Sequence, residues 1–195
     1  MRHFIIDDLS ISYAGQPVIS GFSAQLPGKG FVGIKGPSGC GKTTLLHAIA
    51  GLKEYTGTLE TGLEEGERLA YVFQDDRLLP WYSAADNVAM AVNSASGKPD
   101  ADESARKWLS RLGLADAPDK HPAELSGGMR QRVNIARALA YDARILLLDE
   151  PYKGLDPELR AKVSAIFEEL SKEILIILVT HDEDGSVAEK VIQLR

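Results

Sequence analysis

The spacing of apolar residues changes several times along the chain, and each change marks a different kind of element. In the first third, IIDDLSISY and VISGFSAQL carry apolar residues in alternation and are set off by the turn clusters AGQP and PGKG, which predicts strands. FVGIKG is a short apolar run flanked by glycine, the pattern of a strand buried on both faces. CGKTTLLHAIAGL then places Leu45, Leu46, Ile49 and Leu52 on one helical face, with Gly51 near the stop. RLAYVFQ reads as another strand, and helical spacing governs from Leu78 to Ala140. Within that region Ala105, Trp108, Leu109 and Leu112 recur at helical intervals and Gly113 stands at a C-cap, while NSASGKPD is a polar loop and the best internal break. RILLLDE and EILIILVTH are continuously apolar and then abruptly polar, as strands are when a parallel sheet buries both faces and keeps its chemistry at the carboxyl ends. Between them DPELRAKVSAIFEEL starts with Asp156 as N-cap and Pro157 at the first helical position, and buries Val163, Ile166, Phe167 and Leu170. Strand, helix, strand in that order predicts an α/β fold.

Composition narrows the classes. A length of 195 residues suits one domain, and 44% hydrophobic with 26% charged residues is ordinary for a globular chain. A net charge of −6 argues against nucleic acid as a partner, which calls for a basic face. Cys40 is the single cysteine, so no internal disulfide forms and a reducing compartment is expected. No apolar run reaches the roughly 18 residues that span a bilayer, and MRHFIIDDLS meets two aspartates too early for a signal peptide. The expectation is a cytoplasmic protein whose membrane role, if any, runs through a partner.

Two stretches carry phosphate chemistry. GPSGCGKTT, residues Gly36, Pro37, Ser38, Gly39, Cys40, Gly41, Lys42, Thr43 and Thr44, satisfies G-x-x-x-x-G-K-[ST] between a predicted strand and a predicted helix. Glycines there let successive N–H groups turn inward around a phosphate; Lys42 can reach the β- and γ-phosphates, and the Thr43 hydroxyl can ligate Mg²⁺. Cys40 reads as a small filler residue. ILLLDE adds Asp149 at a strand end, placed to hold Mg²⁺ through water, and Glu150, placed to polarise an attacking water. Together they predict a nucleoside-triphosphatase.

ELSGGMRQR is the third. Two glycines at the start of a long helix cost about 1 kcal/mol each against alanine, yet Ser126 and the bare N–H groups of Gly127 and Gly128 suit an anion at the positive end of that helix. Arg130 and Arg132 read as a solvated helix face with local salt bridges, and His3, His47 and His121 match no motif.

This LSGGMRQR, following the phosphate loop and preceding ILLLDE, resembles the signature of ATP-binding cassette (ABC) ATPases, and the resemblance extends over nearly the whole chain. It implies adenine stacking on Tyr13, a Mg²⁺ or water contact for Gln74 in YVFQDD, a D-loop at Gly154, Leu155 and Asp156, and a γ-phosphate contact for His181 in LVTHD. The fold implied is a P-loop NTPase (RecA-like) core with a mainly parallel sheet, an N-terminal antiparallel β subdomain, and a helical subdomain inserted at about 78–136. In the family two cassettes meet head to tail, so Ser126, Gly127 and Gly128 of one copy would close on ATP held by the other. ATP and Mg²⁺ are the implied cofactors. A second copy, transmembrane permease subunits and, indirectly, an extracytoplasmic substrate-binding protein are the implied partners, at the cytoplasmic face of the membrane.

FQDDRLLPW is similar to cassettes of the nitrate, sulfonate and taurine importers, and HPAELSGGMRQR lacks the TEVGE-type segment usual in exporters. The reading is an importer ATPase; an exporter or lipid-extraction ATPase and a soluble ABC ATPase are the alternatives. Trp81 and Tyr82 fall where the family borders its groove for the permease. Tyr152 and Lys153 depart from the usual Phe and small residue, and the stretch after His181 is shorter than the family's helix-then-strand ending, so no C-terminal regulatory extension is expected.

Overall fold

The computed structural model describes residues 3–96, 100–180 and 188–194. In chain order its elements are β1 (His3–Tyr13), β2 (Gln16–Pro27), β3 (Gly30–Lys35), α1 (Lys42–Ile49), β4 (Thr56–Glu60), β5 (Leu69–Val72), α2 (Ala84–Ser96), α3 (Ala101–Arg111), a 3-10 turn (Pro122–Glu124), α4 (Gly127–Ala140), β6 (Ile145–Asp149), α5 (Pro157–Ser171), β7 (Leu175–Val179) and β8 (Lys190–Gln193). Five strands form a parallel sheet in the order β5-β6-β7-β3-β8, and β2-β1-β4 form a separate antiparallel sheet. This is the α/β class expected from the sequence.

Burial on both faces explains the continuous apolar runs. Leu146 and Leu148 of β6, Ile176 and Leu178 of β7 and Val72 of β5 point to the side covered by α2, α3, α4 and α5. Their neighbours Ile145, Leu147, Leu175, Ile177 and Val179 point to the side covered by α1 and the antiparallel sheet. Successive side chains of a strand alternate faces, so a sheet covered twice has no polar position to offer. Each such Leu or Ile contributes roughly 1.5–3 kcal/mol of burial, so the strands that carry the polar ends are among the firmest parts of the molecule.

The elements differ from the expected ones in four places. Residues 78–83 are not helical; α2 starts at Ala84, with Ser83 and Asp86 satisfying each other across the N-terminus (Ser83 N to Asp86 Oδ2 3.2 Å, Asp86 N to Ser83 Oγ 3.1 Å). The loop before it is tied by Asn87, almost fully buried, whose side chain accepts from Leu79 N–H and donates to the carbonyls of Leu79, Tyr82 and Ser83. Helix α2 runs to Ser96, so the first half of NSASGKPD is helix rather than loop. Gly51, at φ 70°, turns the chain out of the helical path, and Leu52 is exposed instead of buried. Strands β4 and β8 carry few buried side chains and give no apolar alternation to read.

Candidate active site

The loop from Gly36 to Gly41 joins β3 to α1. Two of its glycines are dictated by close approach. A Cβ on Gly36 would stand 2.6 Å from the Leu194 carbonyl oxygen and 2.7 Å from Cys40 Sγ, and Gly41 takes φ 97° with Val18 and Ile19 of β2 pressed against it. Cys40 packs here as the small filler expected. Pro37, Ser38 and Gly39 are exposed around the loop's rim. Lys42, almost fully buried, donates to the carbonyls of Gly36 and Pro37, both at 2.9 Å. An ammonium has three donors, so one remains for a ligand while the other two hold the loop in its curve.

Lys42, Thr43, Thr44, Gln74, Asp149 and Glu150 line one cavity of about 170 Å³ together with Gly39, Gly41 and Val179. Residues far apart in sequence meet because β6 and β3 are separated by β7 alone and end on the same side. Burial pushes the Asp149 carboxyl above its ordinary value, opposed by the Thr43 and Tyr71 hydroxyls and the charges of His47 and Lys42. Tyr71 donates to Asp149 Oδ2 at 3.3 Å, and burial together with that carboxylate pushes its phenol far above the usual range, so it stays a donor. Asp149 Oδ1 is buried with no hydrogen-bond partner among the described residues. An orphaned carboxylate oxygen beside a threonine hydroxyl and a glutamine is an oxygen-rich set that suits Mg²⁺.

Glu150 follows β6 with φ 50°, in the left-handed region, while its N–H bonds the Val179 carbonyl at 2.9 Å. That backbone costs a non-glycine residue about 1–2 kcal/mol and is held here by the sheet end. Without nucleotide, Glu150→Gly is therefore expected to be more stable than Glu150→Ala by about 1 kcal/mol, or about 3 °C in Tm by calorimetry. Equal melting temperatures would show the turn to be unstrained.

Ser126, Gly127 and Gly128 do not reach that cavity. Gly127 and Gly128 line a second one of about 340 Å³ with Asp75, Asp76, Lys153 and Gly154, and Gln74 borders both. Ser126 caps α4 by accepting from Met129 N–H at 3.3 Å. Gly128 is needed by packing within the chain, since a Cβ would stand 2.4 Å from the Gly154 carbonyl oxygen. Among the described residues Gly127 has nothing nearer than the Arg130 guanidinium at 4.0 Å, and none of their contacts accounts for its bareness.

The signature helix is fastened to the segment holding Gln74. Asn134 donates to the Phe73 carbonyl, Arg137 to that of Arg77, and Arg130 pairs with Asp76 at 2.8 Å. Arg132 corrects the expectation of a solvated face: it is buried and donates to the carbonyls of Leu112 (2.9 Å) and Gly113 (2.8 Å) past the end of α3. The last carbonyls of a helix lack partners, and five guanidinium donors satisfy them better than water can in a buried place. His47, which matches no motif, packs edge-on to Tyr71 at 5.7 Å.

Asp156 is the N-cap expected, accepting from Leu159 N–H at 2.9 Å, and is exposed. Tyr13 ends β1, half exposed, with the Lys53 ammonium 3.8 Å from its ring centre. Tyr152 is buried against Phe167 and bonds Ser164, while Lys153 stands exposed in the second cavity. His181 lies outside the described residues. The roles of Tyr71 and Arg132 escape motif reading because each works through a side chain or backbone carbonyl remote in sequence, and that of Asn87 because its partners are the backbone of a nearby loop that carries no motif.

A glycine-lined phosphate loop between a parallel strand and a helix, facing an acidic pair at the end of a strand two places away in the same sheet, defines a P-loop nucleoside-triphosphatase. Comparison with known proteins makes the class specific. The profile of the ABC transporter family matches residues 19–153. Over 181 residues the chain is 44% identical to aliphatic sulfonates import ATP-binding protein SsuB 1 of Paraburkholderia xenovorans, covering 90% of this chain and 52% of that protein. It is 43% identical over 190 residues to the aliphatic sulfonates import ATP-binding protein SsuB of Pseudomonas putida, covering 93% of this chain and 68% of that one. A dimeric ATP-binding cassette in a post-hydrolysis state, bound to ADP and Pi, superposes with a TM-score of 0.89 at 26% identity, covering 98% of this chain and 94% of that chain. The chain belongs to the ABC transporter family. It spans about half the length of the Paraburkholderia relative.

Proposed function

We propose that this chain is the ATP-hydrolysing subunit of an ABC importer, driving uptake of a small solute through a separate membrane permease. One observation carries the reading: the phosphate-loop cavity and the bare face of Gly127 lie in two different cavities of the same chain. A second copy facing head to tail would bring the two halves onto one ATP, and the superposable cassette is itself dimeric. The names of the import relatives favour uptake over export. Among the described residues no helix is long and apolar enough to cross a membrane, so the permease is a separate partner of the described part.

In this scheme adenine stacks on Tyr13, and the loop N–H groups of residues 36–44 cradle the phosphates. Lys42 directs its third N–H as a hydrogen bond to the terminal phosphate. Thr43, Gln74 and Asp149 would hold Mg²⁺, which when bound offsets charge on the β- and γ-phosphate oxygens. Glu150 accepts a proton from water as the water oxygen bonds to the γ-phosphorus and the bond to ADP breaks, giving ADP and inorganic phosphate. Ser126, Gly127 and Gly128 of the second copy bind the γ-phosphate oxygens, with Asp156 beside that seam. His181, two residues beyond the cavity-lining Val179, is assigned a γ-phosphate contact by the family resemblance. The apolar groove of about 460 Å³ beside β5, lined by Leu79, Met90 and Tyr141, is the surface offered to the permease. Trp81 and Tyr82 are exposed and lie outside its lining.

The test is phosphate release by the purified chain with ATP and Mg²⁺. Turnover should be absent without Mg²⁺ and fall about 100-fold or more in Lys42→Ala. Hydrolysis persisting in Lys42→Ala would remove the phosphate loop from the reaction.

A further inference from the structure

Tyr71 opens YVFQDD, where only Gln74 carries an assigned role, and takes part in no step above. It stands on β5 opposite Leu147 of β6, and its ring is fixed from two sides, stacked on Phe73 at 4.1 Å and met edge-on by His47 at 5.7 Å. From that clamped ring the hydroxyl reaches Asp149 Oδ2 at 3.3 Å, leaving Oδ1 as the oxygen with no hydrogen-bond partner among the described residues. A carboxylate turns through a broad, shallow torsion about its last bond, so its orientation depends on the groups that bond it. The Thr43 hydroxyl also bonds this carboxylate, and with Thr43 assigned to the cation the bond from Tyr71 to Oδ2 is the one that holds the carboxylate toward the nucleotide cavity that it lines.

The geometry points to Tyr71 as a positioning residue: it pins Oδ2 of Asp149 so that Oδ1 is kept for the divalent cation or its bound water. This rests on the assignment of Asp149 to the metal side of the site. The clamp has a second consequence. Tyr71 and Phe73 also line the apolar groove beside β5, so the Tyr71 side chain touches both the groove and the carboxylate that the cation needs, with Phe73 stacked on its ring.

Tyr71→Phe tests the assignment, because it keeps both ring contacts and removes only the hydroxyl. Binding of Mn²⁺ to the full chain with saturating ADP, followed by the electron paramagnetic resonance signal of free Mn²⁺, should weaken by about tenfold, the lower end of the loss seen when a group that orients a metal ligand is removed. ADP affinity in EDTA should be unchanged, and turnover lost at limiting Mg²⁺ should return at high Mg²⁺ with KM for ATP unaltered. Asp149→Asn is the reference and should weaken Mn²⁺ at least as much. Unchanged Mn²⁺ affinity in Tyr71→Phe beside a loss in Asp149→Asn would reduce Tyr71 to a packing residue. No loss in either variant would overturn the metal-side assignment of Asp149, and the role of Tyr71 with it.

Discussion

Glu150→Gln is expected to bind ATP as the unaltered chain does while turnover falls by about 100-fold or more, the contribution of a positioned general base. The substitution keeps the size and hydrogen-bonding reach of the side chain and the left-handed backbone that aims it, so nothing that holds the phosphates changes. What disappears is the proton acceptor. Because hydrolysis is then the step that fails, ATP stays in place, and the associated state that ATP stabilises accumulates by mass action. Size-exclusion chromatography with ATP and Mg²⁺ should show a dimer in the variant where the unaltered chain returns to monomer as it turns over. Normal phosphate release by Glu150→Gln would take Glu150 out of the base's role.

Gly127→Glu is the second substitution with a large expected effect, and it separates fold from function. The position is helical, exposed and open to 4.0 Å, so a side chain fits; replacing glycine removes a helix penalty of about 1 kcal/mol, and an acidic group suits the first turn. The nucleotide-free chain should therefore melt no lower than before and bind ATP through its own phosphate loop. Turnover should nevertheless fall by about 100-fold, because a carboxylate now occupies the surface meant for a phosphate. Mixing Gly127→Glu with Lys42→Ala is the decisive measurement. In the mixed dimer one of the two composite sites combines an intact loop with an intact signature, so hydrolysis should partly return. A mixture as inactive as its parts would place the signature's action within a single chain and end the two-copy reading.

Gly128, one residue on, shows how far the sequence goes toward that distinction. SGG at a helix start declares an anion site, and the two glycines look equivalent. Only the folded chain shows that Gly154 presses on Gly128 while Gly127 faces open space, so that packing explains one and leaves the other to a ligand. The same holds for the arginines of MRQR. Their spacing on α4 gives both the look of surface charge, yet Arg132 is buried against the end of α3 and Arg130 reaches Asp76, residues brought near by folding alone. Strands β4 and β8 were not legible for a related reason: they pair at sheet edges, where backbone hydrogen bonds rather than buried side chains define the strand, and the sequence records side chains.

What the sequence by itself determined is the part written in local physics. Continuous apolar runs ending in charge fixed a doubly covered parallel sheet with chemistry at its carboxyl ends, and the loop from Gly36 to Thr44 fixed a phosphate site, because each needs particular residues at short, set spacings. Tertiary structure alone decided what meets across the fold: the strained Glu150 against β7, the bond from Tyr71 to Asp149, and the separation of the phosphate loop from Gly127 into two cavities. Those facts depend on strand order and helix packing. Contacts between residues tens of positions apart are set by how the elements stack, and no window along the chain contains them.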